Sequence, residues 1–109
     1  MTTTLIEACC PPLLSSRLSA DEAEKLAAGF KVLGDPVRLR LLSLIAAQPG
    51  GACTCDLTGE VALSQPTVSH HLRILLDSGL LTRERHGQYT HYRVDPDRLG
   101  ILRAALSTL

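Results

Sequence analysis

A chain whose apolar period changes from about 3.6 to about 2 with no linker between must pack a helix directly against a β-hairpin. This sequence makes that change at Leu80. Before it, from Leu63 to Gly79, Ser64 is placed to cap a helix, and Pro66 stands in the first turn, where a missing N–H costs nothing. Val68, Leu72, Leu75 and Leu76 fall at i, i+4, i+7 and i+8 and share one face. At about 100° per residue, Thr67, His70 and Arg73 point the other way, and Gly79 ends the helix. A short helix with hydrogen-bonding side chains near its N-terminus suits the major groove of double-stranded DNA, where such groups read base edges. Ser64, Gln65, Thr67, Ser69, His70 and Arg73 are its candidate DNA-contacting residues. The same pattern also fits an ordinary amphipathic surface helix, so the neighbouring segments have to decide.

After Leu80, the runs Leu81–Arg85 and Tyr89–Val94 are rich in β-formers and flank His86-Gly87, where glycine can supply a positive φ. A basic hairpin directly after a groove-reading helix is the wing of a winged helix. Arg83, Arg85 and His86, near its tip, are placed to meet phosphates or the minor groove. The plainer alternative is that these charges only keep a hairpin soluble.

Upstream, Ser19 and Glu22 form a capping box before an apolar stripe of Ala23, Leu26, Ala27, Phe30 and Leu33, which ends at Gly34. Asp35-Pro36 restarts a helix whose Val37, Leu41, Leu44 and Ile45 stripe is flanked by Leu39 and Leu42, a pattern for the centre of a domain. Pro49-Gly50-Gly51 breaks it, a short helix fits Thr54 to Val61, and a turn at Ala62-Leu63 leads into the helix described first. Two short helices joined by a tight turn make a helix-turn-helix. Asp95-Pro96 starts a last helix with Leu99, Leu102, Leu106 and Leu109 on one seam, a dimerisation element in so small a protein. Residues 1–18 show no period, and Pro11-Pro12 forbids a continuous helix. The expected organisation is thus a mobile or loosely docked arm over 1–18, carrying Cys9-Cys10, and one domain over 19–109. The fold class is mainly α with a small β-hairpin, a winged helix-turn-helix acting as a homodimer.

Net charge is zero, which speaks against a purely electrostatic DNA binder. The charge is unevenly spread, however: residues 1–63 carry −2 and residues 64–109 carry +2. No apolar run approaches the eighteen or so residues of a membrane span, and no basic-then-apolar leader opens the chain, so a cytoplasmic location is expected. There, Cys9, Cys10, Cys53 and Cys55 would stay reduced.

Cys53 and Cys55 stand at i and i+2, about 200° apart on an ideal helix, and cannot share a face in mid-helix. At a helix start, with Cys53 still outside the regular turn, both sulfurs can converge on one ion. The adjacent Cys9-Cys10 pair reads as a reduced chelating pair. Four soft thiolates favour As(III), Sb(III), Cd(II) or Pb(II). His71 lies at the edge of the core face, and His86 and His91 lack matching partners for zinc. No phosphate-cradling loop, no α/β pattern and no base near a cysteine supports an enzyme or an organic cofactor.

Leu33-Gly34-Asp35-Pro36-Val37-Arg38-Leu39-Arg40-Leu41-Leu42, Cys53-Thr54-Cys55-Asp56-Leu57, Leu63-Ser64-Gln65-Pro66-Thr67-Val68-Ser69-His70-His71-Leu72 and Gly87-Gln88-Tyr89-Thr90-His91-Tyr92-Arg93 together resemble the ArsR/SmtB family of metal- and metalloid-responsive bacterial repressors. The resemblance runs from about Ser19 to Leu106. It implies a winged helix-turn-helix homodimer with first and last helices at the interface, which holds operator DNA until an inducer binds. It also implies inducer ligands at Cys53 and Cys55, in a Cys-x-Cys-Asp-Leu motif. Arsenic-sensing relatives often have a third cysteine where Thr58 stands here; in others, arm cysteines complete the site, a role open to Cys9 and Cys10. A site on the last helix is not expected, since residues 95–109 contain neither His nor Glu. The reading is an As(III)-responsive repressor, with Sb(III), Cd(II) or Pb(II) as alternatives and thiol redox sensing as a rival on the same scaffold.

Overall fold

The computed structural model describes Ile6, Pro12, Leu13 and residues 17–107. The chain runs α1 (Ala20–Leu33), α2 (Pro36–Ala46), β1 (Ala52–Cys53), α3 (Thr54–Val61), α4 (Gln65–Ser78), β2 (Leu81–His86), β3 (Tyr89–Val94) and α5 (Pro96–Ala105). The caps explain the boundaries. Glu22 N–H donates to Ser19 Oγ at 3.1 Å while Ser19 N–H donates to Glu22 Oε1 at 2.9 Å, the reciprocal capping box. Asp35 Oδ1 accepts from the Val37 and Arg38 backbones at 2.8 and 3.3 Å, and Asp95 Oδ1 does the same for Asp97 and Arg98 at 3.0 and 3.3 Å. α4 closes on Gly79 at φ 86°.

The core gathers Leu41, Leu42 and Ile45 of α2, Leu57 and Val61 of α3, and Val68, Leu72 and Leu75 of α4. Leu80, Leu81 and Tyr92 close it from the hairpin side. Burying one such leucine stabilises the fold by about 2 kcal/mol, so the stripe on α4 fixes which face of that helix remains outside. α2 is central as its composition predicts, although Leu39 turns outward and is 52% exposed.

Two expectations need correction. The inner face of α1 is Leu26, Gly29 and Val32, with Phe30 and Leu33 half-buried; Ala23 and Ala27 are exposed. The reason is Gly29: a Cβ there would lie 2.9 Å from Leu102 Cδ2, so α5 crosses α1 at that glycine and the face turns toward it. The leucine seam of the last helix is divided. Leu102 is in the core, Leu99 and Leu106 are exposed, the helix ends at Ala105, and Leu109 lies outside the described residues. Of the arm, Ile6 is buried; its N–H donates to Ser78 O at 2.7 Å, and its carbonyl accepts from Arg98.

The hairpin gains a strand that the sequence reading lacked. β1 pairs antiparallel with β3, giving the order β1-β3-β2, with Ala52 opposite Tyr92 and Cys53 opposite His91. β2 pairs with β3 from Leu81 opposite Val94 to His86 opposite Tyr89.

Candidate thiol centre and nucleic-acid interface

Cys53 is the N-cap of α3 and sits in extended backbone, while Cys55 lies inside the first turn. That change of conformation between them brings their Cα atoms to 5.4 Å, inside the range a disulfide spans. The structure joins the two sulfurs as a disulfide, and the reduced pair expected from the sequence is the form that would offer both thiolates to an ion. The expected convergence is present. Cys53 is buried on the sheet side and Cys55 is exposed.

A third donor comes from a residue not singled out in the sequence. One oxygen of Asp56 and the sulfurs of Cys53 and Cys55 all lie within 4.8 Å of one another. Its position directly after Cys55, still within the first turn, was the available signal. Thr58 occupies the place of a possible third cysteine, and its hydroxyl donates to Thr54 O at 2.8 Å, inside the helix. The described donor set is therefore two sulfurs and one carboxylate, one soft ligand short of the three that As(III) takes. Cys9 and Cys10 lie outside the described residues.

α3 and α4 meet across residues 62–64, where Ala62 adopts φ 55°, the one left-handed non-glycine residue among those described. On α4, Val68, Leu72 and Leu75 face the core, and Gln65, Thr67, Ser69, His70 and Arg73 are all exposed. The Ser64 hydroxyl caps the helix, accepting from Thr67 N–H at 3.4 Å, and lies 2.9 Å from Thr67 Oγ1. Arg73 reaches Asp77 at 3.6 Å, an exposed pair that holds the guanidinium only weakly. On the hairpin, Arg83, Arg85 and His86 are exposed; Arg85 Nε donates to Gly87 O at 3.2 Å, and His86 lies 3.6 Å from Glu84. The structure thus presents one polar helix face and one basic hairpin tip on elements joined by Gly79 and Leu80.

Residues 35–83 match the family described as bacterial regulatory protein, arsR family. An arsenical resistance operon repressor of Staphylococcus xylosus is 35% identical over 86 residues, covering 79% of this chain and 81% of that protein. The chain belongs to the arsR family. Members are DNA-binding transcriptional regulators rather than enzymes, and α3–α4 with the β2–β3 hairpin form the winged helix-turn-helix of this arsR-family repressor. The arsenical resistance operon repressor of Escherichia coli (strain K12) is 42% identical over 67 residues, 62% of this chain. The chain spans little more than half of that relative, 56% of its length. Among solved structures, the AntR antimony-specific transcriptional repressor is similar over 91% of this arsR-family chain and 92% of its own, at 38% identity and a TM-score of 0.65. Among the described residues, no helix is long and apolar enough to cross a membrane.

Proposed function

We propose that this chain is a cytoplasmic homodimeric repressor that leaves its operator when As(III) or Sb(III) binds the thiolates of Cys53 and Cys55, derepressing a resistance operon. The observation that carries the reading is the convergence of those two sulfurs at the start of α3, one short helix and one tight turn upstream of α4. The names of the relatives support the choice of metalloid. Cys9 and Cys10, from an arm over residues 1–18, complete the sulfur set. Asp56 would serve a Cd(II) or Pb(II) ion better than an arsenical, because a hard carboxylate suits a divalent cation. Gln65, Thr67, Ser69, His70 and Arg73 contact bases, Ser64 orients the helix start, and Arg83, Arg85 and His86 contact the backbone beside it. The exposed leucines Leu99 on α5 and Leu106 just after it, and Ala23 and Ala27 on α1, form the contact between two copies over the 19–109 domain.

Two α4 helices must stay about one DNA turn apart to read two half-sites. An ion that repositions α3 moves α4 through the 62–64 turn, and a 100-fold loss of DNA affinity needs only about 2.7 kcal/mol of coupling. Anisotropy of a labelled operator duplex, titrated with As(III), Sb(III), Cd(II), Pb(II) and Zn(II), tests this. Parent protein should dissociate with As(III) or Sb(III), and a Cys53→Ser/Cys55→Ser dimer should bind and stay bound. Release of that double variant by arsenite would sink the assignment.

The joined sulfurs favour a second reading, in which oxidation of the same pair is the signal. Release by peroxide in chelated, metalloid-free buffer, with no response to arsenite under reductant, would select it.

A further inference from the structure

We propose that His91 is a positioning residue that couples the thiol centre to the wing; the inference rests on the metalloid reading above. Residues directly opposed on antiparallel strands project from the same face. Cys53 is opposed to His91 on one side, and Glu84 is opposed to His91 on the other, so the three side chains form a row across the sheet. The row continues into the hairpin tip. His86 is two residues beyond Glu84 on the same face, its ring centroid is 4.5 Å from that of His91, and its Nε2 is 3.6 Å from Glu84 Oε1. The imidazole of His91 therefore stands between a sulfur that would bind the inducer and a histidine at the DNA-facing tip.

A second observation singles out this ring. Its Nδ1 is buried and has no hydrogen-bond partner, the one such side-chain atom among the described residues. Buried polar atoms are ordinarily paired, and an exception calls for a reason. Here the reason is that the ring is held by its neighbours' packing instead of being anchored by a bond at Nδ1. Its place then follows Cys53. When a thiol reductant supplies the two electrons that cleave the Cys53–Cys55 bond and the freed Cys53 thiolate ligates an ion, the short β1–β3 pair adjusts, His91 follows, and the contact with His86 and Glu84 changes with it. Coupling runs through contiguous packed groups of this kind when one of them can take two positions. The path is separate from the α3–α4 turn and acts on the wing rather than on the groove-reading helix.

The test uses the full chain, sodium arsenite as probe and a duplex selected by this protein from a random pool. Two quantities are read for each variant: arsenite affinity from thiolate–arsenic absorbance, and the factor by which saturating arsenite weakens DNA binding. His91→Ala should bind arsenite as the parent does and bind free of arsenite within about threefold, yet its release factor should fall from about 100-fold to below about tenfold. His91→Phe, which keeps a ring against His86 but has no Nδ1, should recover most of the factor. Glu84→Ala, an exposed change at the outer end of the row, should lower the factor in a chain whose fold is not at risk. An unchanged factor in His91→Ala and Glu84→Ala, with the parent responding, overturns this inference alone. Loss of arsenite binding in His91→Ala would also overturn it, making His91 part of the site itself. A parent that ignores arsenite overturns the metalloid reading and this coupling with it.

Discussion

The guanidinium of Arg38 lies 3.5 Å from Nδ1 of His71, joining the start of α2 to the middle of α4. The same side chain donates from Nε to Val32 O at 2.6 Å and from Nη2 to Lys31 O at 3.3 Å, satisfying carbonyls at the end of α1. One arginine thus clamps the α1–α2 junction to the helix proposed to read DNA. Arg38→Ala should cost about 1–3 kcal/mol of unfolding free energy, since charged hydrogen bonds are removed from half-buried partners. Arg38→Lys should recover little, because an ammonium cannot make the same fork. Urea midpoints of the three proteins check both statements.

Asp35, at the N-cap of α2, sits beside that clamp. Desolvation, the largest single influence, pushes its carboxyl up, but the Arg38 and Val37 backbone hydrogen bonds and the charges of Arg38 and His71 together outweigh it and hold the group below its ordinary 3.8. A lowered folded-state value means that the stabilising contribution is present above the unfolded value and is lost as pH falls through the folded one. Asp35→Asn, which keeps a capping oxygen, should match the parent's melting temperature less closely near pH 7 than below pH 3. Thermal melts of both proteins from pH 2 to 7 should therefore converge at the acid end.

Gly51 has φ 86°, and a Cβ there would stand 2.8 Å from the carbonyl oxygen of Tyr92. Gly51→Ala combines a disfavoured backbone conformation with a clash against β3, a backbone that cannot swing aside. A loss of about 1–3 kcal/mol is expected, measured by denaturant unfolding. Weakened arsenite binding should accompany it, because β1 holds Cys53 in place.

Ala62 occupies the left-handed region at the α3–α4 turn. Replacing it with glycine removes about 1–2 kcal/mol of steric cost and adds about 0.5–1 kcal/mol of chain entropy. A net gain of about 0.5 kcal/mol should show in the urea midpoint.

Arg83→Ala and Arg85→Ala should weaken DNA binding by similar factors on different sequences, and each should reduce the slope of log affinity against log salt by about 1. Thr67→Ala should alter sequence preference and leave that slope unchanged. Anisotropy at several salt concentrations separates the two kinds of contact.

Much of this was legible in the chain. Ser19, Asp35, Ser64, Asp95 and Gly79 mark helix ends because capping depends on local chemistry, and local chemistry is written in adjacent residues. The convergence of Cys53 and Cys55 could be read for the same reason, from the break before Thr54. Asp56 needed atomic positions to become a donor. β1 was not legible: two residues carry no period, and their pairing depends on a partner some forty positions away. The facing of α1 was misread because a stripe of alanines looks apolar, whereas the crossing is set by the absence of a side chain at Gly29. His91 looked partnerless in sequence because its neighbours, Cys53 and Glu84, come from two other strands.

The pairing of β1 with β3 has a consequence for how this protein can vary. Side chains alternate between faces along a strand, so register and face are the same variable. Inserting or deleting one residue between Gly51 and Cys53 would exchange the places of Ala52 and Cys53, sending the sulfur to the Tyr92 face of the sheet and the methyl to the His91 face. The segment before α3 can therefore drift in composition, Gly51 excepted, but its length is fixed. Among descendants of this sequence, gaps should gather in the hairpin tip and at the chain ends and spare the few positions ahead of the thiol pair.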